Sequence, residues 1–119
     1  MTENKKHYDL EDRTQAFAVK VRVFVKKIPQ TLANIEDSKQ LIRASGSIGA
    51  KYIEANEALG KKDFFLRIKI YRKEAKEARY WLRLIETNKD IDLEQKRKDL
   101  IREATELMNI FGAILRKGQ

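Results

Sequence analysis

The sequence predicts an all-α protein, an antiparallel four-helix bundle of up-down-up-down topology, on three observations. Apolar residues recur every three or four positions in four separate stretches, which is the spacing of one helix face. The 119 residues include one proline and five glycines, so long uninterrupted helices are permitted. The connections between the stretches are short, which favours antiparallel neighbours. No linker or repeat interrupts this pattern, so residues 1–119 are expected to form a single domain.

The first helix is expected from about Asp9 to Ile28, after a polar segment, residues 1–7, that is expected to be disordered. Pro29 ends this helix, because the residue before a proline is pushed out of the α region. The apolar stripe of the helix consists of Leu10, Phe17, Val21, Phe24, Val25 and Ile28.

The second helix is expected to begin between residues 32 and 37, with either Thr31 or Asn34 as its cap, and to reach about Leu59. Gly60 is then expected at the C′ position. The predicted inward row is unusually small and polar, and consists of Ile35, Ser38, Ile42, Ser45, Gly49, Tyr52, Asn56 and Leu59.

Two glycines in the second helix, Gly46 and Gly49, need compensation, because each costs about 1 kcal/mol relative to alanine inside a helix. Close approach of another backbone would supply it. Two explanations remain open, a tight helix crossing and a ligand site, and the crossing is favoured.

The third helix, from Asp63 as its cap to about Thr87, carries two adjoining stripes. The apolar stripe consists of Phe64, Ile68, Tyr71, Ala75, Ala78, Leu82 and Ile85. The second stripe follows one residue later and is mostly basic: Phe65, Lys69, Arg72, Lys76, Arg79 and Arg83. Because one residue is about 100° of helix rotation, the basic ridge runs beside the apolar stripe over its whole length.

The fourth helix follows a turn at residues 88–91 and is expected to begin with a capping box formed by Asp92 and Gln95. Its apolar stripe consists of Leu93, Leu100, Ala104, Leu107, Phe111 and Ile114.

The charge distribution favours a polyanionic partner. The formal net charge is +8, and residues 61–83 hold nine basic and three acidic residues, so +6 lies in this stretch. Phosphate binding needs cations spaced along a surface, and exposed aromatic rings such as Tyr80 and Phe65 can stack on bases. A plain solvated helix face is the open alternative. The predicted binding residues for RNA or DNA are Lys69, Arg72, Lys73, Lys76, Arg79, Tyr80 and Arg83.

A further apolar set on the third helix cannot share the core stripe, and predicts self-association. It consists of Leu66, Ile70, Trp81 and Leu84, and Val19 and Val23 form a similar set on the first helix. A monomer exposing both sets would carry a large apolar patch, so we expect a closed homo-oligomer. The alternative is a thick bundle that buries these residues within one chain.

The residues needed for common enzymatic sites are missing from the sequence. His7 is the only histidine and there is no cysteine. A catalytic triad therefore lacks a positioned histidine base, and a zinc site or a Glu-x-x-His di-iron site lacks its set of ligands. No phosphate-binding loop follows a strand. We expect no enzymatic activity and no cofactor. No apolar run approaches the 18 residues of a membrane helix, and no signal peptide is expected.

Stretches of the second and third predicted helices resemble those of a known family. Residues 39–50 read KQLIRASGSIGA and residues 52–58 read YIEANEA, and residues 67–70 (RIKI) and 73–82 (KEAKEARYWL) continue the pattern. Over residues 9–115 the chain resembles the four-helix-bundle family named for proteins encoded in intervening sequences of bacterial 23S rRNA. Where many members have Asn-Ile-x-Glu-Gly, this chain has YIEAN.

The resemblance implies a bacterial, cytoplasmic homopentamer that catalyses no reaction. The resemblance extends to a related group, the accessory variability determinants of diversity-generating retroelements. Members of that group form basic pentameric barrels that are thought to engage RNA and a reverse transcriptase. Carried over, it implies nucleic-acid binding by the outer basic surface, with a reverse transcriptase-like protein as a further partner. A protein-interaction scaffold with no nucleic-acid role is the alternative.

Overall fold

The computed structural model describes the backbone of residues 2–56 and 60–118 and the side chains of residues 10–49 and 60–118. Within these ranges the chain forms four helices: α1 (Thr2–Lys27), α2 (Leu32–Asn56), α3 (Lys61–Leu84) and α4 (Ile91–Lys117). They pack around the bundle as α1–α2, α2–α3, α3–α4 and α4–α1 neighbours. The predicted all-α four-helix bundle is therefore confirmed. None of the helices, over the described residues, combines the length and apolar character that a membrane crossing requires.

The core is built mainly from one stripe of each helix. The predicted α3 stripe is buried from Ile68 to Ile85, and Phe64 packs against it while half-buried. The α4 stripe is buried from Leu93 to Phe111, with Ile114 at its edge. The first helix contributes Leu10, Phe17, Val21, Phe24 and Ile28, as its spacing predicts. It begins at Thr2, however, and not near Asp9.

The inward face of α2 is rotated by about one residue from the prediction. Of the predicted row, Ser45 is buried, Ser38, Ile42 and Gly49 are half-buried, and Ile35 is exposed. Among the described side chains of α2, the buried residues are Asn34, Leu41, Ala44, Ser45 and Ile48. The predicted row started at Ile35 because apolar side chains are expected in the core, but Asn34 is buried instead, and its carboxamide makes three hydrogen bonds there. Tyr52, Asn56 and Leu59, which completed the predicted row, lie outside the described side chains.

Two residues share the roles considered for the cap of α2. The hydroxyl of Thr31 accepts a hydrogen bond from the Asn34 backbone N–H at 3.1 Å, so Thr31 is the cap. The Asn34 side chain instead bridges two connections. Its Nδ2 donates to the carbonyl oxygens of Pro29 and Glu86 at 2.9 and 2.8 Å, and its Oδ1 accepts the Glu86 N–H at 3.0 Å.

The tight helix crossing is found at Gly49. A Cβ placed on this residue would lie 3.7 Å from backbone atoms of Thr14 and Gln15, so α1 passes over α2 in van der Waals contact. At Gly46 the nearest atom is the Arg22 guanidinium, which belongs to a flexible side chain. Gly49 thus supports the crossing predicted from the small residues of α2.

Three predicted helix ends are corrected. Gly60 precedes α3 as its N-cap, in an extended conformation with φ −141°, and does not adopt the positive φ of a C′ glycine. Asp63 lies in the first turn of α3 and pairs with Arg67 at 3.3 Å, where it complements the helix dipole without capping. The cap of α4 is Asp90, which accepts the Leu93 N–H at 3.0 Å.

Candidate nucleic-acid interface

The basic ridge of α3 faces solvent, beside the buried apolar stripe. Lys69, Arg72, Lys73, Lys76 and Arg83 are all exposed. Within residues 10–49 and 60–118, no carboxylate lies within salt-bridge distance of Lys69, Arg72, Lys76 or Arg83. The cations that the sequence places on this ridge are therefore available to an outside anion.

Arg79 differs from the other predicted binding residues. Its side chain is half-buried, and Nη1 donates to the hydroxyl of Thr105 on α4 at 3.4 Å. The Thr105 hydroxyl in turn donates to the Ile101 carbonyl oxygen at 2.9 Å. Arg79 therefore lies at the boundary between α3 and α4, and it is less accessible than the other cations of the ridge.

Four of the predicted residues line one groove between α3 and the end of α4. Lys69, Arg72, Lys73 and Lys76 follow each other at i, i+3, i+4 and i+7, and Leu115 of α4 lines the groove with them. The groove has a volume of about 270 Å³. We call this feature the basic groove. It brings three ammonium groups and one guanidinium, which can grip two phosphate oxygens, to one place.

The fourth helix extends this positive surface, which reasoning from α3 alone missed. Thr105 contacts Arg79, so residues at helical spacing from Thr105 share the side of α4 next to α3. Arg102 and Arg116 lie three residues before and eleven after Thr105, and both are exposed; Arg102 also lies 3.6 Å from Asp99 on α4, so Arg116 is the larger addition. The i, i+3, i+14 spacing of Arg102, Thr105 and Arg116 in the sequence indicates this face, once the α3–α4 pairing is known.

Two of the three acidic residues of α3, Glu74 and Glu77, face the opposite neighbour, α2. Glu74 is buried and lies 3.5 Å from Arg43, and Glu77 accepts a hydrogen bond from Arg43 at 3.1 Å. A hydrogen bond with the Glu74 carboxyl group and, after it, the bond from Arg43 hold the pKa of Glu77 below its ordinary value, with a smaller contribution from the charge of Lys73. Arg43 thus pairs with the negative charge of Glu74 and Glu77 on the side of α2, although Glu77 still lies near enough to Lys73 of the basic groove for the two charges to interact.

The two aromatic rings proposed for base stacking have different surroundings. A side chain at Gly118 would overlap the Phe65 ring, so the end of α4 covers this ring and Phe65 is half-buried. Phe65 is therefore less accessible for stacking than the sequence-based hypothesis assumed. Tyr80 is 56% exposed, and its ring stands nearly perpendicular to that of Trp81, with centroids 5.0 Å apart.

Exposed apolar side chains form a stripe beside the ridge, on the side away from α4. Leu66, Ile70 and Leu84 are 57%, 39% and 45% exposed, and we call them the exposed apolar stripe of α3, which is distinct from the buried stripe of the same helix. Trp81, predicted to belong to the same surface, is half-buried and packs against the core. A single chain therefore shelters Trp81 by itself, which corrects the expectation that a monomer would leave it in solvent. On α1, Val19 and Val23 are also exposed.

Comparison with known proteins supplies the family. The family model described as 23S rRNA-intervening sequence protein matches residues 6–113. The chain belongs to this family. The match includes the whole ridge and the exposed apolar stripe of this 23S rRNA-intervening sequence protein, whereas Leu115 and Arg116 lie beyond it.

A solved structure supports the same fold. A protein of unknown function from the S23 ribosomal protein family of Bacteroides thetaiotaomicron VPI-5482 is 30% identical, with a TM-score of 0.73. The similarity covers 89% of this chain and 97% of that one. A comparison with curated proteins found no match.

Proposed function

We propose that this 23S rRNA-intervening sequence protein is a non-catalytic homo-oligomer that binds the backbone of RNA or DNA through α3. The observation that carries the proposal is the basic groove, where Lys69, Arg72, Lys73 and Lys76 are exposed together. Two of the three acidic residues of this helix, Glu74 and Glu77, pair with Arg43 on α2, and the third, Asp63, pairs with Arg67 in the first turns of α3. None of these pairs uses a cation of the basic groove.

A polyanion gains from such a surface mainly by releasing condensed counterions. For a single strand, log affinity falls by about 0.7 per unit of log salt for each phosphate neutralised. A protein binding through four or more cations is therefore expected to lose affinity steeply as salt rises. Plain solvation of the same side chains would give no such binding at any salt concentration.

The oligomeric part of the proposal depends on the exposed apolar stripe of α3 and on the family resemblance, which implies a pentamer. Five copies with a formal charge of +8 each would carry 5 × 8 = +40. Basic grooves repeated around a ring would add up to one continuous positive field. The resemblance also carries the proposals of a bacterial cytoplasmic location and a reverse transcriptase-like protein partner.

The proposal is tested by reversing two charges in the basic groove. The double variant Arg72→Glu/Lys76→Glu changes the formal net charge from +8 to 8 − 4 = +4. We expect it to lose binding to a labelled RNA or DNA oligonucleotide at low salt, measured by fluorescence anisotropy, while circular dichroism remains helical. Both residues are exposed, so the fold does not depend on them.

A matched control separates groove binding from net charge. Lys26→Glu/Lys27→Glu makes the same change in charge on α1, at exposed positions. We expect this control to retain most of the binding. Equal loss in both variants, or full retention by the groove variant, would contradict the assignment to α3. If the wild type binds no nucleic acid at low salt, the protein-interaction scaffold becomes the favoured function.

A further inference from the structure

We infer that the nucleic acid bound by this surface is single-stranded, with one unpaired base stacked on Tyr80 while its phosphates occupy the basic groove. This inference rests on the proposed function and specifies its ligand. It depends on three features of the described residues: the exposure of Tyr80, the contact that orients its ring, and its position relative to the groove.

Tyr80 exposes 56% of its surface in the middle of a basic helix face. Lys76 precedes it by four residues and Arg83 follows it by three, so both flank the ring on the same face. Glu77, three residues before Tyr80, also lies beside the ring, and its carboxylate is paired with Arg43 at 3.1 Å. A base stacked on an aromatic ring needs its own phosphates neutralised nearby. Cations on both sides of Tyr80 meet that requirement.

Trp81 restricts the orientation of the Tyr80 ring. The two rings meet at an angle of 82°, with centroids 5.0 Å apart, and Trp81 itself packs against the core. A perpendicular contact of this kind covers at most one face of the tyrosine ring. The other face remains open to solvent on a ring with only two side-chain torsions, so little conformational entropy is lost when a base stacks on it.

The geometry of the helix matches a strand that runs along α3. From Lys69 to Arg83 is 83 − 69 = 14 residues, or about 21 Å of helix axis, which is roughly six stacked nucleotides. Lys76 and Tyr80 are separated by about 6 Å along the axis. The groove and the ring are thus close enough to hold neighbouring parts of one strand.

A duplex cannot use this ring. Its base faces are already stacked on neighbouring pairs, and turning one base outward costs unstacking and unpairing free energy. A single strand presents free faces without that cost, and stacking on an aromatic side chain tolerates every base. Phe65, which would favour a second stacked base, is covered by the end of α4. Among the described aromatic residues of α3, Tyr80 is the exposed one, and it is therefore the stacking position.

The test compares single-stranded and double-stranded RNA of about 20 nucleotides, both labelled and of mixed sequence, on the full chain. We expect the single strand to bind more tightly at equal salt. Tyr80→Ala is expected to weaken single-strand binding by about 5- to 150-fold and to leave duplex binding unchanged. Tyr80→Phe, which keeps the ring, is expected to retain binding.

The salt dependence distinguishes stacking from charge. Tyr80→Ala removes no cation, so the slope of log affinity against log salt is expected to match the wild type. Arg72→Glu/Lys76→Glu is expected to lower binding of both RNAs. If Tyr80→Ala has no effect while the groove variant abolishes binding, or if the duplex binds as tightly as the strand, this inference is wrong and the proposed function stands. If the wild type binds neither these RNAs nor DNA oligonucleotides of the same length at low salt, the proposed function fails.

Discussion

A single buried carboxamide joins two connections of the bundle. Asn34 is 1% exposed, and its side chain makes three hydrogen bonds, one to Pro29 and two to Glu86. All hydrogen-bonding capacity that it brings into the core is thus used except one lone pair of its oxygen. This residue aligns the entry to α2 with the exit from α3.

At this scale we predict that Asn34→Ala lowers the free energy of unfolding by about 2–3 kcal/mol, because it removes three part-buried hydrogen bonds to the backbone of Glu86 and Pro29. Urea unfolding followed by circular dichroism measures the change. Asn109→Ala, an exposed position on α4, is the matched control and is expected to change stability by less than about 0.5 kcal/mol. Equal effects of the two substitutions would show that the Asn34 bridge contributes little.

Asn34 also marks a limit of prediction from sequence. An asparagine near the start of a helix is typical of a cap, and Ile35 beside it is typical of the core. The burial of Asn34 depends on Glu86, 52 residues away, which no local pattern contains. By contrast, the α3 stripe was predicted correctly because a long run of positions at helical spacing gives the same answer.

An ion pair within α4, through a hydrogen bond made by its arginine, holds the beginning of α4 to the end of α3. Arg97 donates to Glu94 at 2.9 and 2.6 Å, and its Nη1 also donates to the Leu82 carbonyl oxygen at 3.2 Å. Thr87 in the connection donates to Glu94 at 3.0 Å. The hydrogen bond from Arg97, followed by the one from Thr87, lowers the pKa of Glu94 to about 2.

For this element we predict that Glu94→Gln reduces the loss of stability in acid. A carboxylate whose pKa is lowered by folding stabilises the protein above its unfolded pKa of about 4.5, and this contribution is lost as the pH falls towards 2. Wild type and Glu94→Gln should therefore differ most at neutral pH and converge near pH 2. Urea unfolding at several pH values measures this, and a constant difference across the range would contradict it.

The same connection explains why the cap of α4 was misplaced. Asp90 and Asp92 are two residues apart, and either could begin a helix by its residue type. Asn88 and Lys89 adopt positive φ values of 57° and 64°, so the chain completes its turn early and Asp90 reaches the Leu93 N–H. Gln95, expected to complete a capping box, bonds to Asp99. The turn conformation decided between two similar candidates.

On the scale of the whole molecule, we predict that copies of the chain assemble through the exposed apolar stripe of α3. Wild type should have a mass several times the 14.0 kDa of one chain by light scattering behind a sizing column, and Leu66→Glu/Ile70→Glu should lower it, because charges would enter an apolar contact. Leu32→Glu/Ile91→Glu is the matched control at exposed apolar positions outside the stripe. A wild-type mass of one chain would contradict the prediction.

The sequence predicted which face of α3 is basic and exposed, but not every residue that belongs to that face. Rotation of 100° per residue places Lys69, Arg72 and Lys76 outside the α3 stripe, and these three are exposed. The half-buried states of Arg79 and Trp81 depend on how closely α3 meets Thr105 and the core. Periodicity within one helix contains no information about its neighbours, so these two positions required the folded chain.

The Asn34 bridge has a consequence for isotope exchange. The Glu86 amide lies outside every helix, where exchange with deuterium is usually fast, yet its hydrogen is held by a side chain within the core. We expect its exchange to require that the bond to Asn34 break, which separates the connection after α3 from the start of α2. A loop amide of this 23S rRNA-intervening sequence protein therefore reports on the opening of the bundle at that end.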